Sequence, residues 1–279
     1  MVTVYLNSGE LFRADFFNFL LTQRFYSSKA FYFTGAIFKW TREAVLILFC
    51  YENSLLSGDH AMVNITFPDG NIKGFENIPS GFDVAMSISE DFARNCVAMD
   101  LDSVVVDLNT KITRDSSVRF ITTREPEALD ILRHSAAHVM AQAILHIFPE
   151  AKLTIGPAVE NGFYYDIDMK PVSEDDFPKI EAEMKKIIKA KIPFKRKEVS
   201  KSEAMNFYIN ESYKLEMISE LKDGTISLYE QGDFTDLCRG PHIPHTGFVK
   251  AVKLMKVSGA YWRADQTKPQ LQRIYGTAF

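Results

Sequence analysis

The hydrophobic pattern of the chain changes near residue 62. Residues 1–61 are rich in phenylalanine, and their apolar positions keep neither a helical nor a strand period for long. From Met62 onward the pattern is regular, and apolar and polar side chains alternate over residues 63–67 as in a half-buried strand. A proline-aspartate-glycine turn follows. Residues 72–75 then predict the returning strand of a hairpin.

A helix and several short strands are predicted after this hairpin. Apolar side chains recur at helical spacing over residues 84–96, and Asp83 is the predicted N-cap of this single helix. Short strands are predicted at residues 97–99, 104–106 and 118–122. This order of strands and helix within such a short segment predicts a β-grasp, ubiquitin-like domain over residues 62–123.

One long helix is predicted over residues 125–148. Pro126 suits its first turn, and Pro149 ends it because proline cannot continue a helix. Apolar side chains mark one face of this helix; they are Leu129, Leu132, Ala136, Val139, Ala143 and Ile147.

The rest of the chain predicts mixed structure. Two strands around a turn are predicted within residues 154–168, and a charged helix capped by Ser173 is predicted over residues 173–190. A short helix is predicted over residues 202–210, followed by strands and loops. The predicted fold class is α+β, in which the β-grasp domain precedes an α+β domain over residues 124–279 with a mainly antiparallel sheet.

Composition narrows the class of protein. Hydrophobic residues make up 46% and charged residues 24%, as in ordinary soluble globular proteins. A net charge of -4 provides no global field that attracts nucleic acid, so no DNA partner is expected, and RNA binding would need a local basic patch or shape recognition. The three cysteines do not suggest a disulfide framework, and no segment predicts a signal peptide or membrane span. A cytoplasmic location is therefore expected.

Two short motifs carry the candidate chemistry. His134 and His138 are four residues apart, so both imidazoles lie on one face of the predicted long helix. Cys238 and His242 show the same spacing about a hundred residues later. Three alternatives follow: a tetrahedral zinc site, a metal-free catalytic pocket, or satisfied structural side chains without chemistry.

Longer segments carry a more specific resemblance. From Met62 to Phe279 the chain resembles the amino-terminal half of bacterial threonyl-tRNA synthetases, in the family's order. The matching segments are LDILRHSAAHVMAQAI, IGPAVENGFYYDID, DFTDLCRGPHIPHTG and KLMKVSGAYWRADQTKPQLQRIYGTAF. The upstream segment VNITFPDG resembles the TGS domain that opens those enzymes. Alanyl-tRNA editing proteins share the histidine and cysteine pattern and bind zinc there, but GFYYD and QRIYGTAF favour the threonyl branch.

The resemblance implies an editing function. Serine lacks one methyl group of threonine, and such a difference is worth only about 1–3 kcal/mol in a binding pocket. The family therefore removes serine from mischarged Ser-tRNA(Thr) by hydrolysing its ester in a second site. A zinc-dependent alanyl-type hydrolase and a non-catalytic RNA-binding module with a TGS domain are the alternatives.

Matching positions suggest a role for each residue. The resemblance implies that His134 and His138 face the scissile ester and that Lys214, in the sequence ESYK, activates or orients water. Asp236 would bind the seryl amino group. Cys238 and His242 would complete the wall and exclude the threonine methyl group.

Two further residues are candidates for substrate contacts. Tyr165 is predicted to stack on the terminal adenosine of the tRNA, and Arg239 to bind an RNA phosphate.

Cofactors and partners also follow from the resemblance. Editing is expected to need no cofactor. If zinc binds, its ligands are expected to be His134, His138, Cys238 and His242. ATP and a catalytic zinc are expected to bind a synthetic domain that has no match in this sequence. The full-length family is homodimeric, and its dimer contact is expected to lie in domains that likewise have no match here. The expected partner is the 3′ end of tRNA(Thr) carrying serine, and no membrane partner is expected.

Residues 1–61 have no recognised counterpart in the family. We expect Met62 to be the true start and the preceding segment to be translated upstream sequence; a genuine accessory segment is the alternative. Inside the match, Ala264 stands where the family usually has glycine, and His245 where a smaller polar residue is common. We expect the chain to be a gene fragment; a free-standing editing factor is the alternative.

Overall fold

The chain forms two compact units, Met1–Asp59 and His60–Phe279. The computed structural model describes residues 62–279 in full. Before residue 62 it describes only four strands, which form two antiparallel pairs: β1 (Val2–Tyr5) with β2 (Leu11–Ala14), and β3 (Phe31–Phe33) with β4 (Ala36–Phe38). The prediction of an unassigned extension over residues 1–61 otherwise lies outside the described residues.

The first part of the second unit is a five-stranded sheet with the order β6-β5-β9-β7-β8. Its outer pairs are antiparallel, whereas the central strands β5 and β9 are parallel. This arrangement confirms the predicted β-grasp fold. The strands are β5 (Val63–Thr66), β6 (Ile72–Phe75), β7 (Cys96–Leu101), β8 (Val104–Asp107) and β9 (Ser116–Thr122).

The single helix predicted in this domain is two short helices, α1 (Gly81–Met86) and α2 (Glu90–Asn95). The predicted N-cap, Asp83, was wrong. Ser80 caps α1 by accepting a hydrogen bond from the Asp83 backbone N–H, while the Asp83 carboxylate accepts from the Ser80 N–H at 2.8 Å. A second serine caps α2, so each helix has its own start signal.

The predicted long helix is confirmed as α3 (Pro126–Ile147), with proline in its first turn. Its central residues, 135–144, are buried on every face rather than along one stripe. The reason is that α3 packs between helix α4 (Phe177–Lys189) and the strands that follow it in sequence. The predicted apolar stripe was therefore narrower than the buried surface.

Two antiparallel sheets complete the second unit and confirm the α+β class. The larger has the order β10-β12-β17-β16, with β11 also paired to β12, and the smaller has the order β13-β14-β15. Their strands are β10 (Lys152–Leu153), β11 (Ala158–Val159), β12 (Gly162–Asp168), β13 (Phe194–Val199), β14 (Ile226–Gln231), β15 (Phe234–Leu237), β16 (Val252–Tyr261) and β17 (Gln270–Ala278).

Two short helices lie between β13 and β14. Helix α5 (Lys201–Phe207) matches the short helix predicted over residues 202–210. Helix α6 (Ser212–Glu220) replaces predicted strand and loop. Its N-terminus has no side-chain cap, so the sequence offered no start signal there. Within the described part of the chain, no helix combines the length and apolar character needed to cross a membrane.

Ala264, which stands where the resembling family usually has glycine, lies in a strained turn. Arg263 and Ala264 have φ values of 55° and 57°, which is the left-handed region that favours glycine. A side chain in that region costs roughly 1–2 kcal/mol. The turn therefore forms with alanine, but under a local conformational cost.

Candidate active site

The two predicted motifs meet at the middle of helix α3. The His134 Nε2 atom lies 3.2 Å from the Cys238 Sγ atom, and the His242 Nε2 atom lies 3.3 Å from the same sulfur. The rings of His138 and His242 are 4.2 Å apart between centroids. One ligand-type atom from each of these four residues lies within 4.8 Å of the others. The loop that follows β15 thus brings its thiol and imidazole onto the histidine face of the helix.

Glycine allows this loop to turn back on itself. Gly240 has a φ of 72°, and its backbone N–H donates a hydrogen bond to the Cys238 sulfur at 3.3 Å. The hydroxyl of Tyr229 occupies the space where a Cβ atom at residue 240 would lie. Both the positive φ and the close contact therefore require glycine here.

Ser135 fixes the orientation of the His242 ring. Its hydroxyl donates to the backbone carbonyl of Ile131 at 2.8 Å, so its oxygen accepts from the His242 Nδ1 atom at 3.0 Å. The Ile243 backbone N–H donates to the same oxygen at 3.1 Å. A proton on Nδ1 leaves the Nε2 lone pair of His242 pointing toward Cys238. The ring is thus held in one tautomer by a residue inside the histidine motif.

The three histidines sit in an apolar setting that favours their neutral forms. Burial lowers the pKa of His134 and takes the pKa of His242 well below its usual value. Burial also lowers the pKa of His138 to about 3, although the Asp236 charge opposes that shift. Phe194 stacks on the His242 ring at 4.7 Å. All three imidazoles are therefore proton acceptors rather than cations at neutral pH.

The thiol of Cys238 is also neutral. Burial raises its pKa to about 12, although the hydrogen bond from the Gly240 N–H works in the opposite direction. A thiol is a weak nucleophile compared with a thiolate. Without a bound cation, the sulfur is therefore neutral and poorly suited to nucleophilic attack.

A buried charged group lies beside the histidines. Lys214, on α6, donates hydrogen bonds to the Asp236 carboxylate and to the backbone carbonyl of Thr154, the latter at 2.9 Å. The Tyr165 hydroxyl donates to Asp236 at 2.5 Å, and the Leu237 backbone N–H donates at 2.8 Å. Burial alone would raise the pKa of Asp236, but the Lys214 charge, the His138 ring and the hydrogen bonds from Lys214 and Tyr165 together outweigh burial, and the pKa is lowered. Asp236 is therefore ionised at neutral pH.

His138 lies between the other imidazoles and the buried pair of Lys214 and Asp236. The His138 Nε2 atom lies 3.9 Å from an Asp236 carboxylate oxygen. The other ring nitrogen, Nδ1, is buried and has no hydrogen-bond partner among the described residues. Buried polar atoms are rarely left unpaired, so this nitrogen is a candidate for contacting a ligand or water.

The two remaining predicted residues differ in their surroundings. The Tyr165 side chain is 1% exposed, so the prediction that its ring stacks on an adenosine was wrong, because neither ring face is accessible. Its hydroxyl contributes to the site through Asp236 instead. Arg239 is exposed and lines a surface cleft that also contains Cys238, Leu237 and Met217. Its predicted phosphate contact remains a prediction.

Three residues of this site were missing from the sequence prediction. Ser135 lies between the two motif histidines and could have been found as a polar residue on a buried helix. Phe194 and Tyr229 come from β13 and β14 and enclose the His242 ring. Nothing in their local sequence distinguishes them from ordinary strand residues.

Comparison with known proteins shows which proteins this sequence resembles. Residues 226–275 match the family described as "Threonyl and Alanyl tRNA synthetase second additional domain". Threonine--tRNA ligase from Desulfatibacillum aliphaticivorans is 66% identical over 218 residues, which cover 78% of this chain and 34% of that protein. The Geobacillus sp. (strain WCH70) ligase is 51% identical over 222 residues, with the same shares covered.

A third relative shows a lower identity over a similar length. The ligase of Enterococcus faecalis is 47% identical over 220 residues, covering 78% of this chain and 34% of its own length. The chain thus spans about a third of the length of the curated relatives it matches. Over that 78% of its length, this chain is homologous to threonine--tRNA ligases, and its residues 226–275 match the second additional domain of threonyl- and alanyl-tRNA synthetases.

Proposed function

We propose that this chain hydrolyses the ester that links serine to the 3′ end of tRNA(Thr). The observation that supports this best is the meeting of three neutral imidazoles with an ionised, buried Asp236 in one site. We assign residues 62–123 as a TGS domain and residues 124–279 as the editing domain. Because its substrate would be a charged tRNA, the chain is expected to act in the cytoplasm.

Asp236 would recognise the amino group of the amino acid. An ammonium group needs a hydrogen-bond acceptor, and a carboxylate has about four acceptor positions. Three of the Asp236 positions are taken by Lys214, Tyr165 and the Leu237 backbone. The remaining position faces His138, which would place the bound amino acid beside the helix histidines.

His134 would act as the base. It is more exposed than His138 and is neutral, so it can take a proton from a water molecule. The water oxygen then bonds to the ester carbonyl carbon, and the bond to the ribose oxygen breaks. That oxygen receives the proton from His134, which releases serine and a tRNA with a free hydroxyl. Lys214 would fix the orientation of the carboxylate that holds the substrate.

Cys238 and His242 would discriminate serine from threonine. Their positions are fixed by Gly240 and Ser135, so the wall they form cannot easily move to admit an additional methyl group. A single methyl group is worth about 1–3 kcal/mol, or roughly 10- to 200-fold in rate. The neutral thiol also suits hydrolysis by water without an acyl-enzyme intermediate.

The central test offers the purified chain three substrates: Ser-tRNA(Thr), Thr-tRNA(Thr) and Ser-tRNA(Ala). We expect Ser-tRNA(Thr) to be hydrolysed at least about 10-fold faster than Thr-tRNA(Thr). Release of radiolabelled amino acid, compared with a reaction without protein, measures each rate. Hydrolysis of Ser-tRNA(Thr) no faster than the uncatalysed rate would refute the proposal and favour a non-catalytic RNA-binding module.

A zinc-dependent hydrolase is the second candidate, because the four donors fit that metal. Tetrahedral zinc holds nitrogen and sulfur ligands roughly 3.3–3.8 Å apart, and the four candidate atoms lie within 4.8 Å of one another. The ligands would be His134, His138, Cys238 and His242. Ser135 would orient the ligating His242 ring. Four protein ligands would fill a tetrahedral site, so zinc could bind a water and lower its pKa only in a five-coordinate state.

Chelation distinguishes the two mechanisms. In the metal-free mechanism the His134 imidazole is the base. We therefore expect protein treated with EDTA to hydrolyse Ser-tRNA(Thr) at an unchanged rate. Elemental analysis of protein purified without chelator should find substoichiometric zinc. About one zinc per chain, together with loss of activity on chelation that added zinc restores, would contradict the metal-free mechanism and support the zinc-dependent one.

A further inference from the structure

The β-grasp domain contributes a carboxylate to the edge of the candidate active site. Asp107 ends strand β8, and one of its oxygens accepts a hydrogen bond from the His242 backbone N–H at 2.7 Å. The other oxygen accepts from the Tyr229 hydroxyl at 2.6 Å. A single side chain therefore holds both the backbone of His242 and the tyrosine that packs against its ring.

The position of Asp107 is fixed relative to helix α3. Val97 and Ala98 of β7 and Ile121 of β9 belong to the same buried hydrophobic cluster as the apolar residues of that helix. Strand β8 pairs with β7 along its whole length. Packing between the β-grasp sheet and the helix therefore sets where the carboxylate lies with respect to the helix histidines.

Tyr229 extends the effect of Asp107 to the rest of the loop. Its ring is 4.5 Å from the His242 ring, at an angle of 68°. Its hydroxyl fills the space beside Gly240, where the loop turns. The hydrogen bond to Asp107 fixes that hydroxyl, so the turn and the imidazole are restrained together.

We infer that Asp107 is a positioning residue, supplied by the β-grasp domain, that holds the loop of residues 238–242 against helix α3. As part of the hydrolysis proposed above, this contact keeps the wall that faces the scissile ester in place. Asp107 thereby couples the β-grasp domain to this loop, in addition to the packing of its sheet against helix α3. The β-grasp domain then has a role in the hydrolytic step in addition to any contact with RNA.

Two substitutions of Asp107 test this role in the full chain. In Asp107→Ala both hydrogen bonds are lost, and we expect the single-turnover rate at saturating enzyme to fall about 10- to 10²-fold, as for a small misplacement of catalytic groups. In Asp107→Asn the amide oxygen still accepts from His242, and the amide N–H donates to the tyrosine oxygen. The asparagine variant should therefore recover most of the rate. The concentration for half-maximal rate should be unchanged in both.

Glu76→Gln is the matched control, because it removes an exposed carboxylate from the same domain. It should behave like the unmodified chain. Wild-type rates in Asp107→Ala would overturn the inference. So would equal losses in both Asp107 variants with a raised half-saturating concentration, because that pattern indicates general destabilisation.

Alkylation of Cys238 by iodoacetamide reports loop position without reference to activity. The peptide that contains residue 238 is quantified by mass spectrometry after timed exposure. We expect faster alkylation in Asp107→Ala than in Glu76→Gln or the unmodified chain; equal alkylation rates would overturn the inference. If the unmodified chain hydrolyses no ester but alkylation differs as expected, the proposed function fails while the positioning role of Asp107 stands.

Discussion

Replacing His134 with alanine is expected to slow the hydrolysis of Ser-tRNA(Thr) by about 10²-fold or more. This is the scale for losing a positioned acid–base group. His134 contacts the Cys238 sulfur and is the more exposed of the two helix histidines. Its neutral imidazole has no obvious substitute, because His138 and His242 are almost completely buried. Single-turnover measurements with saturating protein isolate this step from product release.

His146→Ala provides the matched control for that experiment. His146 lies on the same helix but is exposed, and its ring contacts the surface carboxylates of Glu183 and Asp233. This substitution should leave the hydrolysis rate unchanged. The free energy of unfolding should change little in His134→Ala, since alanine suits a helix interior. An unchanged hydrolysis rate in a folded His134→Ala protein would exclude His134 as the base.

Local sequence signals explain which helices and strands could be predicted from the sequence. Helix α3 was predicted within one residue at each end because prolines bracket it. Strands β5 and β6 were predicted because the alternation of residues 63–67 and the turn that follows are local signals. Helix α6 was missed because it begins without a side-chain cap. Local signals also misassigned the cap of α1, where the reciprocal bonds of Ser80 and Asp83 form a box that begins one turn earlier.

Long-range contacts limited the prediction of the site. Spacing placed His134 and His138 on one helix face and left a shared zinc site with Cys238 and His242 as one of three alternatives, and the family resemblance supported bringing the four together. The hydrogen bonds of Asp107 cross 122 residues to Tyr229 and 135 residues to His242. A single sequence carries no periodic or local signal for such pairs. Tyr165 shows the opposite error, since a residue type suited to stacking lies in the core and contributes only its hydroxyl.

Lys214 is expected to matter for stability as much as for activity. It is 1% exposed, and its partner Asp236 is 2% exposed, so neither charge is solvated by bulk water. Removing one partner of a buried ion pair leaves the other as an uncompensated charge, which costs about 3–5 kcal/mol. We therefore expect Lys214→Met to lower the free energy of unfolding by that amount, measured by urea titration.

Two further variants decide whether that loss comes from the buried charge. In Lys214→Met/Asp236→Asn no charge is left behind, so much of the stability should return, although hydrolysis should be lost with the carboxylate that is proposed to bind the substrate. Lys186→Met removes an exposed lysine from its pair with Glu183 and should cost no more than about 1 kcal/mol. Equal losses in the single and double variants would show that packing around the lysine stem, rather than charge pairing, holds the group together. The Asp236 carboxylate would then owe its orientation to Tyr165 and the Leu237 backbone alone.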